Sequence, residues 1–450
     1  MVTRNEGQDN SANEERFQFV SVPAPDQRRD SKCRRQARSH AVKQGLMRKR
    51  KSQQDSQQNF HTMRCVSTDT DAFDPFESLA VDSSRLRVLL DDYRGRQAPE
   101  PVFSVSKPLA FQSFQAVFRE GLVDPTLVNA VMLALVSAVT GSKMDKERLG
   151  YQQHAIVGIR KRMDRVEEAT SETTIGAILL LAGIEARMGR RGQVQLHMGA
   201  VQQLLTICKE RGIYLTAGIK RAIFWQDLNA SILAGSPRLF SHTTFAELQW
   251  TRDTFSPSFY RAPPGFAKRR GVLGDEFIEI LEDLHALQCI RNIPGAKRGD
   301  PLMMAYINNH TASIQSRLGL LRAEGVVARS CRFAAYICSV MLCCTVWCGL
   351  FIPSHISEQL FRELNRTRDE EIWEEDLDLM LWLACIGGAF APEGGVGDGY
   401  VKLLAEMTER IFVISPRSWQ GVEYVLEQFI WSESAFLVPV QTLWERVGHT

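Results

Sequence analysis

The chain has no pattern of regularly paired cysteines. Ten cysteines are spread through 450 residues, half of them between Cys331 and Cys348, and this excludes the framework of a small disulfide-stapled secreted domain. A reducing compartment is expected. The opening MVTRNEGQDNSANEERF has no apolar core and no small-residue cleavage pattern, so neither a secretory signal nor an organelle presequence is expected, and the mature chain should begin near Met1. No stretch alternates polar and apolar residues long enough to build a sheet, which leaves an all-α fold. No period of twenty to fifty residues recurs, which argues against a regular solenoid. Catalytic signatures are missing as well: there is no nucleophile elbow, no paired-histidine metalloprotease motif and no kinase set. EGGVGDGY, Glu393 to Tyr400, is glycine-rich but follows a helical pattern and fits neither phosphate-loop spacing, so it reads as a flexible connector. The acids Glu374, Glu375, Asp376 and Asp378 read as a solvated helix start. No enzyme, cofactor or bound metal is expected.

The stretch with the clearest organisation is Ser171 to Gly212. Ser171 suits an N-cap, Glu172 the first turn, and Ile175 to Ile184 are apolar on nearly every side, so this helix should be buried on most faces. Gly176, Ala177, Ala182 and Gly183 thin its surface where a neighbouring helix comes close. GRRG, Gly189 to Gly192, supplies a break. Val194, His197 or Met198, Val201, Leu204 or Leu205, and Cys208 then recur at helical spacing, and Lys209, Arg211 and Gly212 form a favourable end. His197 lies on or beside that stripe and is expected to be a buried histidine, satisfied by a nearby carbonyl or by a carboxylate such as Glu185.

ETTIGAILLLAGIEARMGRRGQVQLHMGAVQQLL, with LWLACIGGAF (Leu381 to Phe390), FIWSESAF (Phe429 to Phe436) and the terminal pair Leu443 and Trp444 following in that order, resembles the helical regulatory domain of fungal zinc-cluster-type transcription factors. The resemblance runs from about residue 100 to the C-terminus and implies a regulatory role in the nucleus for a large multi-helix domain. One family part is missing. The zinc cluster needs six cysteines close together because two metal ions share thiolates, and ahead of the helical body there are only Cys33 and Cys65.

Charge is unevenly distributed. From Arg28 to Lys51 there are eleven Lys or Arg against one acid, Asp30; this segment therefore carries ten net positive charges and, with the whole chain at +2, the remainder carries eight negative ones. Residues 1 to about 100 are mostly polar and are expected to be largely disordered, with Arg16 to Pro25 suited to a small strand or docking peptide. Within the basic segment, Arg34, Arg35 and Arg38 precede Arg48, Lys49, Arg50 and Lys51, with twelve residues between Arg35 and Arg48. That is the layout of a two-part nuclear import signal. The expected partners are an import receptor, DNA phosphates bound without sequence preference, and an effector or protein that meets the helical body.

A short helix, Ser83 to Tyr93, precedes the Pro99 and Pro101 pair, where the domain boundary is placed. Helices are expected over Pro108 to Glu120, Pro125 to Thr140, Lys146 to Val166, Thr216 to Ala234 with a stop at Gly235 and Pro237, Leu273 to Arg291, Pro301 to Arg322 and Arg329 to Leu350. Thr251 to Arg270 reads as a long loop ending in KRR that covers a pocket or partner surface. Phe333 to Ile352 carries no charge and is long enough to span a bilayer. Its many small and weakly apolar residues, and Arg332 directly before it, favour a buried core helix, and the five cysteines of the helix expected over Arg329 to Leu350 serve packing. No membrane partner is expected. The alternative readings are a helical adaptor that does not bind DNA and a membrane-associated protein.

Overall fold

The computed structural model describes residues 81–92, 123–141, 145–293, 301–343, 351–411 and 418–448. All of them fall in one unit, Asp74–Thr450. The basic segment, with Arg34, Arg35, Arg38, Arg48, Lys49, Arg50 and Lys51, lies outside the described residues, as do the Arg16 to Pro25 piece and the helix expected over Pro108 to Glu120. Among the described residues there are helices and no strand, so the all-α reading holds.

Helix α1 (Ser83–Asp91) is capped by Asp82 and buries Leu86 and Leu89. It packs on α2 (Pro125–Val139), and Arg85 reaches Glu147 of α3 (Lys146–Arg162) through a two-pronged ion pair at 2.7 and 2.8 Å. This helix, ahead of the Pro99 and Pro101 pair, belongs to the helical body. In α2, Pro125 sits in the first turn and Asp124 caps it by accepting from the N–H groups of Thr126 and Leu127. Asp124 also takes both Nη atoms of Arg162, each at 2.8 Å. Burial opposes its ionisation, but hydrogen bonds from Arg162, the Leu127 N–H and Thr173, with the Arg162 charge, together hold the carboxyl below the usual carboxylate range.

A single turn, α4 (Val166–Ala169), leads into α5 (Glu172–Arg187), where the Ser171 hydroxyl accepts from Thr174 N as a cap should. α5 is buried from Thr174 to Ala186 and packs on α2, α3 and both following helices, α6 (Arg191–Arg211) and α7 (Ala217–Ala234). The break before α6 is shorter than GRRG suggests: only Gly189 is left-handed, at φ +67°, and Gly192 is already helical. Glu185 pairs with Arg190 and Gln152 and not with His197. His197 is half-buried without that partner, and burial lowers its pKa.

The long connection, expected over Thr251 to Arg270, begins earlier and runs over residues 235–263 with two 3-10 turns, and asparagine and arginine side chains stitch it down. Asn309 donates to the carbonyls of Glu247 and Gln249, and Arg221 donates to that of Glu247. The expected loop does not continue to Arg270, because α8 (Pro264–Ala267) and α9 (Arg270–Leu273) follow. Of the KRR cations Lys268 and Arg270 are exposed, whereas Arg269 is only 4% exposed and is described with its acids below. Next come α10 (Asp275–Arg291), α11 (Pro301–Leu320) and α12 (Gly325–Cys343).

Helix α13 (Phe351–Thr367) begins inside the long apolar run, so Phe333 to Ile352 is shared by two helices, with residues 344–350 outside the description. α12 has the length and mean hydropathy, 1.5, to cross a membrane, but 72% of that window is packed inside the body. Cys331, Cys338 and Cys343 are buried along it.

The C-terminal part consists of α14 (Leu377–Ala389), α15 (Gly395–Ile411), α16 (Trp419–Leu426) and α17 (Val438–Gly448). α14 is apolar on all sides and is surrounded by α12, α13, α15, α16 and α17. The glycine run read as a connector is helical from Gly395 onward, because its glycines allow close approach: a Cβ at Gly399 would overlap the Phe361 ring. On the facing helix, a Cβ at Gly387 would overlap the Tyr400 hydroxyl and stand 2.9 Å from Leu360 Cδ2. That hydroxyl is buried and donates to Ser357 O at 2.9 Å, so the ring cannot retreat without losing its bond. Gly387→Ala is therefore expected to cost about 1–3 kcal/mol by overpacking, more than the gain of about 1 kcal/mol in helix preference. Chemical denaturation reads the difference; unchanged stability would mean that Tyr400 yields freely.

Candidate functional site

Gly235, left-handed at φ +63°, stops α7 and turns the chain into Ser236, Pro237 and Arg238. Asp227, 2% exposed on the last turns of α7, holds that turn by accepting from the N–H groups of Leu239 at 3.1 Å and Phe240 at 3.0 Å. It also fixes Arg238, whose Nε donates to it at 3.0 Å while Nη2 donates to the Phe240 carbonyl. The guanidinium lies over the Phe224 ring, 5.3 Å from its centroid. Its remaining nitrogen, Nη1, is buried and has no hydrogen-bond partner among the described residues. That atom faces Gly319 in the last turn of α11, where a Cβ would come within 3.6 Å of it.

Gly319 and Arg238 are two walls of an open cleft of about 650 Å³. The cleft lies where the C-terminal ends of α7 and α11 meet one side of α12 and the start of α13. α12 contributes Arg332, Phe333 and Tyr336. Arg332 Nη1 donates to Leu321 O at 3.1 Å, satisfying a carbonyl left over at the end of α11, and its other nitrogens have no protein partner among the described residues. Burial lowers the Arg332 pKa, with the nearby Arg329 charge adding to it. Tyr336 is buried and donates to Gln315 at 3.1 Å. From α13, His355 accepts at Nε2 from the Gln359 amide at 2.8 Å, and burial lowers its pKa while Glu358 opposes. Among the described residues no Asp or Glu lines the cleft. Its chemistry is two arginines, one neutral histidine and an apolar floor that includes Ile232, Leu318 and Ile356.

Catalytic arrangements are poorly supported. Cys289 Sγ lies 3.7 Å from His285 Nδ1, but that nitrogen is 2.7 Å from Phe259 O, and burial pushes the Cys289 thiol pKa up and the His285 pKa down. A thiol raised by burial is a poor nucleophile. Among the described residues no three His, Cys, Asp or Glu side chains are grouped to hold a metal ion.

None of the cleft cations stood out in the sequence as binding residues. Arg332 is noticeable in the sequence only as the charge ahead of an apolar run, and nothing local marks Arg238. The basic residues that the sequence does single out lie outside the described residues, so the structure neither brings them together nor separates them. Compared with known protein families, with curated proteins and with solved structures, the chain gives no match.

Proposed function

We propose that the chain is a nuclear, transcription-regulator-like protein whose helical body binds a small effector and whose basic N-terminal segment serves import and phosphate contact. The observation that carries the reading is the cleft at the junction of α7, α11, α12 and α13. Its volume lies within the range that small-molecule sites occupy, and polar groups converge on an apolar floor, as such sites require. Four helix ends or faces meet there, so an occupant has several elements whose relative packing it can bias. The resemblance to fungal zinc-cluster-type regulators supports the same assignment, in a form without the zinc cluster. DNA contact would then rest on phosphates alone.

Two measurements test it. A fluorescent fusion of the full chain is expected in the nucleus, and alanine at Arg48, Lys49, Arg50 and Lys51 is expected to release it to the cytosol. An unchanged cytosolic pattern favours the adaptor reading. For DNA, contact by all seven of Arg34, Arg35, Arg38, Arg48, Lys49, Arg50 and Lys51 implies a loss of affinity of roughly 10³–10⁴-fold between 50 and 200 mM salt, with little dependence on sequence. Affinity that does not respond to salt, or none at low salt, removes DNA from the account.

A further inference from the structure

We infer that the effector cleft selects an anion: a monocarboxylate carried on an aliphatic or aryl body. The inference rests on the effector-binding reading above and adds the charge and shape of the ligand. Three observations lead to it.

First, two guanidinium groups, Arg238 and Arg332, line the cleft and among the described residues no carboxylate does; the charge of Arg238 is met from behind, that of Arg332 by no acid. Asp227, which pairs with Arg238, lies behind it at the turn and is itself engaged by two backbone N–H groups.

Second, each arginine is anchored at one edge and incompletely satisfied at the other. Arg238 is 8% exposed on its side chain, with Nε and Nη2 occupied and Nη1 buried without an acceptor in the wall beside Gly319. Leaving a charged donor unpaired is costly, but Nη1 is shut off from the cleft, so the contact to an acceptor falls to the half-buried Arg332. Arg332 is likewise held by the Leu321 carbonyl through Nη1 alone. A planar guanidinium with its position fixed is suited to a carboxylate, whose two oxygens match the fork.

Third, the remaining surface is unsuited to a small inorganic anion. Phe333, Ile356, Leu318 and Ile232 give the cleft an apolar floor, which would be wasted on an ion without a hydrocarbon body but can desolvate one. His355, neutral and already accepting from Gln359, offers no second full charge. One negative group with an apolar body is the composition that these walls complement.

The test is isothermal titration calorimetry on the full chain with octanoate and 4-phenylbutyrate, beside octanamide and 4-phenylbutanamide as uncharged counterparts of the same shape. At least one acid is expected to bind no less than tenfold more tightly than its amide. Arg332→Gln should abolish that preference and Arg332→Lys should restore part of it. Arg238→Gln provides a second check where circular dichroism shows it folded. Acid and amide binding equally well would overturn the anion inference and leave an effector cleft standing. Binding of neither acid nor amide at millimolar concentration would overturn both. An acid preference that survives unchanged in both arginine variants would also overturn the assignment, since the anion would then sit elsewhere.

Discussion

Replacing Arg269 by methionine should cost about 3 kcal/mol of stability or more, among the largest effects of any single change in the described body. Its side chain is 4% exposed and every nitrogen is used: Nε donates to Asp376 at 2.7 Å, Nη2 to Asp378 at 2.5 Å and Nη1 to Gly265 O at 2.6 Å. These bonds tie the short α8–α9 segment to the first turn of α14, the apolar helix surrounded by the C-terminal core. The same segment brings Phe266 against Trp382 and Phe429, with ring centroids 5.2 and 5.1 Å away. Methionine fills the volume but strands two carboxylates, of which Lys268 can satisfy only Asp378. Arg269→Lys should recover little, because one ammonium cannot serve acceptors spread along a fork.

A pH signature accompanies this loss. Burial opposes ionisation of Asp378, but hydrogen bonds from Lys268 and Arg269 more than offset it and hold the carboxyl below the usual range. Its stabilising contribution is complete above the ordinary carboxylate pKa near 3.8 and fades as pH falls through the lower folded value. The methionine variant should therefore show a weaker acid loss below pH 4 from this source. Urea titrations at pH 7 and pH 3.5 check both parts; a deficit under 1 kcal/mol at neutral pH would show that the pair is dispensable.

These acids also mark where sequence reading stops. Asp376 and Asp378 look like a solvated helix start because their partner is more than a hundred residues away, and nothing local identifies Arg269 as buried. Caps and stops behave differently. Ser171, Pro125, Thr216, Gly212 and Gly235 act on backbone groups within a turn of themselves, and each stands where the sequence places it. The glycines at 395, 397 and 399 were misread for the reason that misled about the acids. Composition registers their flexibility, whereas the Phe361 ring that Gly399 admits comes from another helix. The cleft is legible only in part on the same principle. Gly235 and Pro237 announce a turn, but that the turn delivers Arg238 to Gly319 is a tertiary fact.

A second large effect is expected at His310, where phenylalanine should stabilise the protein increasingly as the solution becomes more acidic. The imidazole is fully buried on α11 and stacked on Trp250, 4.0 Å between centroids and 7° from parallel, and neither ring nitrogen has a hydrogen-bond partner among the described residues. Burial pushes its pKa down to about 3, the Arg317 and Arg252 charges adding to the shift and the Asp283 main chain opposing it. In the unfolded chain the same group titrates near 6.5. Below that value the unfolded state takes up a proton that the folded state refuses, so stability is lost as pH falls from about 6.5 toward 3, at up to roughly 1.4 kcal/mol per unit. Phenylalanine keeps the stack, removes the unpaired nitrogens and does not titrate. It should gain about 1 kcal/mol at pH 7 and roughly 3–4 kcal/mol at pH 4.5. His197, His242, His285 and His355 also have lowered pKa values through burial, so wild-type acid sensitivity alone does not isolate the effect. The quantity to measure is the stability difference between wild type and His310→Phe from pH 7.5 to 4.5. If the two curves run parallel, the His310 proton is not excluded by the fold and the stacked ring is accessible to acid.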